Sequence, residues 1–350
     1  MQIKVPALVE VHAHFRDPGF TYKEDVNSGS AAAVAGGYGT VVCMANTKPV
    51  IDASELLLRR GDELPVRLYQ AAAATVGQQG RELTDYAALK AAGAIAISDD
   101  GQPILDARVM YDVLQAARDV GLPLMTHSED GRIPGRGSAA EEYMIARDLL
   151  LADTARSPLH IQHVTTAGAV QMIRDAKRSG VSVTCETCPH YFTFTSELRA
   201  AKGAIAKVFP PLRTAWDVEA VTEGLADGTI DIIATDHAPH SRDEKALPWD
   251  DAPGGMVGLE TALAASLTAL FHTEILTMPK LLEKFTVNPL KLLNLPLPED
   301  DYVVFDPDEE WTVTESDLRG KSANSPFLGM RLIGRVRQTI VRGKIVYNRA

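Results

Sequence analysis

Cysteine is scarce in this chain: three among 350 residues, Cys43, Cys185 and Cys188. So small and odd a set argues against a disulfide framework and fits reduced thiols. Cys185 and Cys188 form a single C-x-x-C without a second pair, so neither a structural zinc site nor a redox couple is expected there. Long apolar runs are missing too, none approaching the roughly 18 residues of a membrane span, and no membrane helix is expected. Met1 to Pro6 are too few for the charged and apolar regions of a signal peptide, so the chain is expected to stay in the cytoplasm. Basic side chains are outnumbered, 35 against 46 acidic, giving a net charge of −11. That balance disfavours nucleic acid or an anionic membrane as partner, and an anionic small-molecule substrate would need local positive charge.

What is present is an ordinary globular composition, 45% hydrophobic and 23% charged, over a length that suits one large α/β barrel with an appendage. Short β-branched runs alternate with alanine- and leucine-rich stretches of helical period. Strands are expected at Ala7–His14, Thr40–Asn46, Val66–Thr75, Ala94–Asp100, Pro123–Ser128, Leu159–Val164, Val181–Thr187 and Ile230–Thr235. Helices such as Asp106–Val120 and Ala139–Ala155 fall between them. Eight βα units predict a TIM (β/α)8 barrel over residues 6–295, with a doubly wound open sheet as the alternative. Residues 296–350 predict a small C-terminal β appendage, with strands at Tyr302–Phe305, Trp311–Val313, Val336–Val341 and Lys344–Tyr347. Two inserts break the rhythm. Ala204–Leu212 reads as an excursion over the barrel mouth, and Pro239–Gly258 as a lid or substrate-contacting loop.

The polar residues collect where barrel enzymes build their sites, at the C-terminal ends of strands. His12 and His14 end the first strand, and because alternate residues share a face their imidazoles point the same way. Arg16 continues that alternation. Asn46 ends the second strand, Asp99 and Asp100 the fourth, His127 the fifth, His163 the sixth, and Asp236 the eighth. Any one of these could be a hydrogen-bonded structural group. Four histidines and two carboxylates around one mouth instead suit two zinc ions, which can share a bridging carboxylate and supply a deprotonated water near neutral pH.

These motifs, His12-x-His14-x-Arg16-x-Pro18-Gly19, Asn46-Thr47-x-Pro49, Ser98-Asp99-Asp100-Gly101, His127-Ser128-Glu129-Asp130, Thr235-Asp236-His237-Ala238-Pro239-His240 and the tail phrase Ser325–Met330, together resemble those of dihydroorotases in the amidohydrolase superfamily. The resemblance implies the zinc-dependent, reversible cyclisation of N-carbamoyl-L-aspartate to L-dihydroorotate in pyrimidine synthesis. It implies His12 and His14 on one Zn2+, His127 and His163 on a second, and Asp100 rather than Asp99 between them. Asp236 would touch the first zinc and serve as general base and acid. Arg16, Asn46 and His240 would hold the substrate carboxylate, for which a guanidinium fork is well shaped. Backbone groups near Gly254 and Gly255 would contact the ring. A homodimer and an association with aspartate transcarbamoylase are partners the resemblance suggests. Dihydropyrimidinases and allantoinases share the His-x-His start, but usually lack an arginine at the position of Arg16 and often bridge their metals with a carboxylated lysine.

The chain departs from the family pattern in three places. Phe209 stands where many members carry an asparagine before Pro210-Pro211, Glu10 stands where an aspartate is usual, and only Met1–Pro6 precede the first strand. From the last point the N-terminal β segment is expected to be missing and the appendage half-built. His160, His190, His237 and His272 are read as structural or supporting, and Glu129 and Asp130 as helix-start or loop carboxylates. Two other readings are a non-catalytic scaffold for aspartate transcarbamoylase, which would be expected to lose metal ligands, and an amidohydrolase of altered specificity, motivated by Phe209.

Overall fold

The computed structural model describes residues 2–57 and 63–349. Among them, twelve strands form in chain order: β1 (Ile3–Pro6), β2 (Leu8–Ala13), β3 (Tyr38–Cys43), β4 (Arg67–Ala72), β5 (Ala96–Ile97), β6 (Met125–Thr126), β7 (Leu159–Ile161), β8 (Val183–Thr187), β9 (Ile232–Ile233), β10 (Tyr302–Thr312), β11 (Arg331–Val341) and β12 (Lys344–Asn348). β2 to β9 fall within the eight expected strands or overlap them, and they pair in parallel as two runs, β2-β3-β4-β5 and β6-β7-β8-β9. Parallel bridges Ile97↔Leu124 and Ala13↔His237 join the runs at both seams, so the sheet closes into the barrel and the open-sheet alternative is excluded. Side chains from alternate positions fill the interior, with Val9, Val11, Val42, Met44, Ala71, Met125 and Ile232 in one buried cluster. The opposite faces carry the helices.

Helix ends follow local chemistry. Over Ala107–Val120, Met110, Val113, Leu114 and Ala117 are buried on one face; Asp106 accepts from the backbone N–H of Arg108 and Val109 at the start, and Gly121 at φ 68° closes the end. Asp25 and Thr214 each form a reciprocal cap at the starts of Val26–Ala35 and Ala215–Asp227. No helix among the described residues is long and apolar enough to cross a membrane.

The second sheet corrects one expectation. The N-terminal segment is present: β1 pairs antiparallel with β10, and the order is β1-β10-β11-β12. Four residues sufficed, because Ile3–Pro6 lies against a strand whose Val303 and Phe305 side chains sit in the main core. The expected strands Tyr302–Phe305 and Trp311–Val313 merge into one strand with a register shift between Asp306 and Glu310, where the polar run 306–309 bulges out of the ladder. Thr339 Oγ1 donates to Val34 O at 2.6 Å, and Arg67 of β4 pairs with Asp301 at 2.7 Å, so the sheet is fastened to the barrel wall.

Candidate active site

At the C-terminal mouth the ends of β2, β5, β6, β7 and β9 bring His12, His14, Asp100, His127, His163 and Asp236 together, all buried. His12 Nε2 lies 3.2 Å from Asp100 Oδ1 and 3.5 Å from Asp236 Oδ1. His14 Nε2 lies 3.3 Å from Asp100 Oδ2 and 3.1 Å from Asp236 Oδ1. On the other side of Asp100, His127 Nδ1 and His163 Nε2 stand 3.5 and 3.6 Å from its Oδ1 and 2.8 Å from each other. Two metal-competent groups result, His12–His14–Asp100 and Asp100–His127–His163, sharing the aspartate.

The donor set fits a cation on its chemistry. Asp100 Oδ1 is buried without a hydrogen bond, a costly arrangement unless a positive charge satisfies it. The imidazoles of His12 and His14 are turned by oxygen acceptors behind them: His12 Nδ1 donates to Glu186 Oε1 at 2.6 Å and His14 Nδ1 to Asn46 Oδ1 at 2.8 Å. Both therefore present the Nε2 lone pair to the centre, as metal-binding histidines do. Burial opposes ionisation here, yet the imidazoles hold Asp100 well below the carboxylate range and bring Asp236 down to about 2. Asp100, Asp236 and Glu186 in turn push His12 upward against its burial.

Arg16, His163 and Asp236 adopt left-handed backbone, at φ 58°, 37° and 45°. Non-glycine residues rarely rest there, and three in one mouth mark a site whose surroundings hold strain in place.

A pocket of about 180 Å³ opens above the cluster, lined also by Arg16, Asn46, Gly101, Arg136, Phe209, Ala238, His240, Gly254 and Gly255. Arg16 Nε donates to Pro239 O at 3.2 Å, and its Nη2 stands 3.4 Å from His240 Nε2. Burial, Arg16 and Lys23 bring His240 down to about 3, so its ring is neutral and Nε2–H donates to Gly254 O at 2.9 Å. Gly254 has no room for a side chain, because a Cβ would stand 2.5 Å from the Phe209 ring. Gly255, at φ +142°, donates its N–H to Lys207 O, and its carbonyl accepts from Asn324 Nδ2. Asn324 also takes the N–H of His240 and donates to Ala238 O, which fastens the loop Pro239–Gly258 to the segment preceding the tail phrase.

Several supporting residues escaped the sequence reading. Glu186, inside the Cys185-x-x-Cys188 pair, holds His12 and also faces His160 Nε2 at 3.1 Å. Glu10, which stands where an aspartate is usual in the family, bonds backbone rather than imidazole: its carboxylate accepts from the N–H of His12 and Thr235, tying β2 to the end of β9, and burial pushes it up to about 8. Asp99 accepts from the N–H of Ala74 and Thr75. Glu129 lies in the loop after β6, as read, but it is wholly buried there and pairs with Arg136, which was itself missed. Cys43, Cys185 and Cys188 are buried free thiols.

Solved structures with this architecture include L-hydantoinase (dihydropyrimidinase) from Arthrobacter aurescens, with a TM-score of 0.88 and 26% identity over 99% of this chain and 86% of that one. Dihydropyrimidinase from Brevibacillus agri NCHU1002 has a TM-score of 0.84 over 99% and 85%, at 19% identity, a likeness of fold alone. Closed barrel, appended sheet and histidine–carboxylate mouth thus define an amidohydrolase. A family model described as dihydro-orotase-like matches residues 1–169. Dihydroorotase of Clostridioides difficile (strain 630) is 43% identical over 99% of this chain and 88% of its own length, and that of Syntrophus aciditrophicus (strain SB) 44% over 99% and 87%. The chain belongs to the dihydroorotase family, hydrolases of a cyclic amide bond.

Proposed function

We propose that this chain interconverts N-carbamoyl-L-aspartate and L-dihydroorotate in the cytoplasm, with two zinc ions per chain. His12, His14 and Asp236 would hold one, His127 and His163 the other, and Asp100 both. The observation that carries this reading is the convergence of four imidazole nitrogens on the two carboxylates, with Asp100 Oδ1 otherwise unsatisfied. Bound zinc brings a water to a pKa of about 7 and polarises a carbonyl.

The chain's own residues do the rest. Asp236, an acceptor at neutral pH, takes the proton of the attacking water and delivers it to the leaving ring nitrogen in hydrolysis; in ring closure it carries the proton back. Arg16 offers its fork to the substrate carboxylate, with Asn46 and His240 beside it. Gly254 and Gly255 bring backbone close to the ring. Glu186 and Asn46 keep the imidazoles aimed, so that little reorganisation accompanies the reaction.

Hydrolysis of L-dihydroorotate by zinc-loaded protein, beside dihydrouracil, hydantoin and allantoin and with zinc per chain measured, tests the reading. Turnover of dihydroorotate with about two zincs is expected. Turnover of another cyclic amide alone would move the assignment to an altered specificity. A homodimer and an association with aspartate transcarbamoylase belong to the same proposal, and sedimentation of the chain alone and mixed with that enzyme tests both.

A further inference from the structure

The pocket holds a second arginine that no motif singled out. Arg136 lies in the turn after β6 and lines the pocket with its guanidinium 3.9 Å over the Phe209 ring. Its Nη1 pairs with Glu129, and no further acceptor for the guanidinium is found among the described residues. With one face stacked, its remaining N–H donors lie in the plane, along the edge, where a carbonyl oxygen can meet them.

We propose that Arg136 is a substrate-binding residue that holds the ureido oxygen of the cyclic substrate, the carbonyl flanked by two nitrogens. The inference rests on the dihydroorotase reading of the site. It follows from an arc of contacts around the pocket. Arg16 meets His240, His240 meets Gly254 O, and Gly254 abuts Phe209; Phe209 lies under Arg136, Arg136 pairs with Glu129, and Glu129 Oε2 stands 3.9 Å from His127 Nε2. The two guanidiniums therefore mark the ends of the arc, and the histidine–carboxylate cluster closes the ring. L-dihydroorotate carries its three oxygen-bearing groups on alternate ring atoms: the carboxylate, the scissile carbonyl and the ureido carbonyl. Arg16 answers the first and the cluster answers the second. Arg136 is the charged donor left for the third.

The same geometry accounts for Phe209. An asparagine there would offer an amide hydrogen bond; phenylalanine instead supplies the aromatic face that positions a guanidinium to make one.

The test compares zinc-loaded parent, Arg136→Met and Arg136→Lys with two ligands: L-dihydroorotate, and the analogue whose ureido carbonyl is a methylene, read as an inhibition constant against dihydroorotate. Zinc content and melting temperature are measured on each protein. Arg136→Met is expected to raise KM for dihydroorotate by about tenfold or more and to leave the analogue's inhibition constant within about twofold of the parent's. Arg136→Lys keeps a charge against Glu129 but loses the fork; it carries the comparison if the methionine variant does not fold, with a rise of about threefold expected. An unchanged KM, or equal weakening of both ligands, overturns the proposal. A zinc-loaded parent inert toward dihydroorotate overturns the dihydroorotase reading and this inference with it.

Discussion

His12 donates through Nδ1 to Glu186 at 2.6 Å, and neither side chain is exposed to solvent. The carboxylate fixes the tautomer that leaves Nε2 free, and His160, at 3.1 Å from its other oxygen, holds the carboxylate in turn. Burial alone would raise Glu186, but His12 and His160 bring it down to about 2, so it is fully charged at neutral pH. Glu186→Gln preserves the volume and removes the charge. It is expected to weaken metal retention by roughly 10–100-fold, read by competition with a chelator. Parent-like retention would leave Glu186 a packing residue only.

Asp236 offers a different separation. His12, His14 and Asp100 remain as a group when it is changed. Asp236→Asn should therefore keep most of the zinc while kcat falls by about 10²–10⁴, since the proton carrier is lost. Metal content and turnover on one preparation decide the point; a variant as active as the parent assigns the proton transfer elsewhere.

Arg16 is held by Pro239 O and stands beside a neutral His240, an arrangement that presents a positive fork with no carboxylate in contact among the described residues. Arg16→Met should raise KM for dihydroorotate by at least about tenfold. Binding of dihydrouracil, which lacks the carboxylate, should be unchanged. The two saturation curves together tell lost carboxylate recognition from a distorted pocket.

Lys245 sets a pH dependence of stability. Its ammonium is buried, donating to Lys207 O at 3.2 Å and Pro253 O at 2.9 Å, and burial with nearby Lys207 lowers its pKa to about 7. Between that value and the unfolded value near 10.4, the unfolded chain binds more protons, so this group's contribution to stability rises with pH across the window. Below pH 7 its penalty is complete, on the order of a few kcal/mol. Lys245→Met should remove the penalty and flatten the difference, so variant minus parent stability is largest near pH 6 and shrinks toward pH 10. Denaturant titrations at pH 6, 8 and 10 check the sign.

The barrel was legible because its strands are short runs of Val, Ile, Ala and Met bounded by turns, and residues such as His12, Asn46, His127 and Asp236 stop those runs abruptly. Glu186 and Arg136 were not. Glu186 sits inside a strand, where one carboxylate facing inward leaves no spacing to read, and Arg136 comes from a glycine-rich turn whose path only the fold defines. The same limit hid β1. Ile3-Lys4-Val5-Pro6 is too short to register as a strand alone, and it becomes one by pairing with residues nearly 300 positions later, where Val303 and Phe305 are already buried.

That pairing has a consequence for synthesis. Synthesis runs from the N-terminus, so Ile3–Pro6 is made about 300 residues before its partner, Tyr302–Phe305. The peptide that leads into His12 and His14 is thus secured at that end only by residues made about 300 positions later. The barrel seam, which pairs Ala13 with His237, likewise waits for a residue more than 200 positions downstream, so the strand carrying His12 and His14 has no fixed neighbour on that side until then.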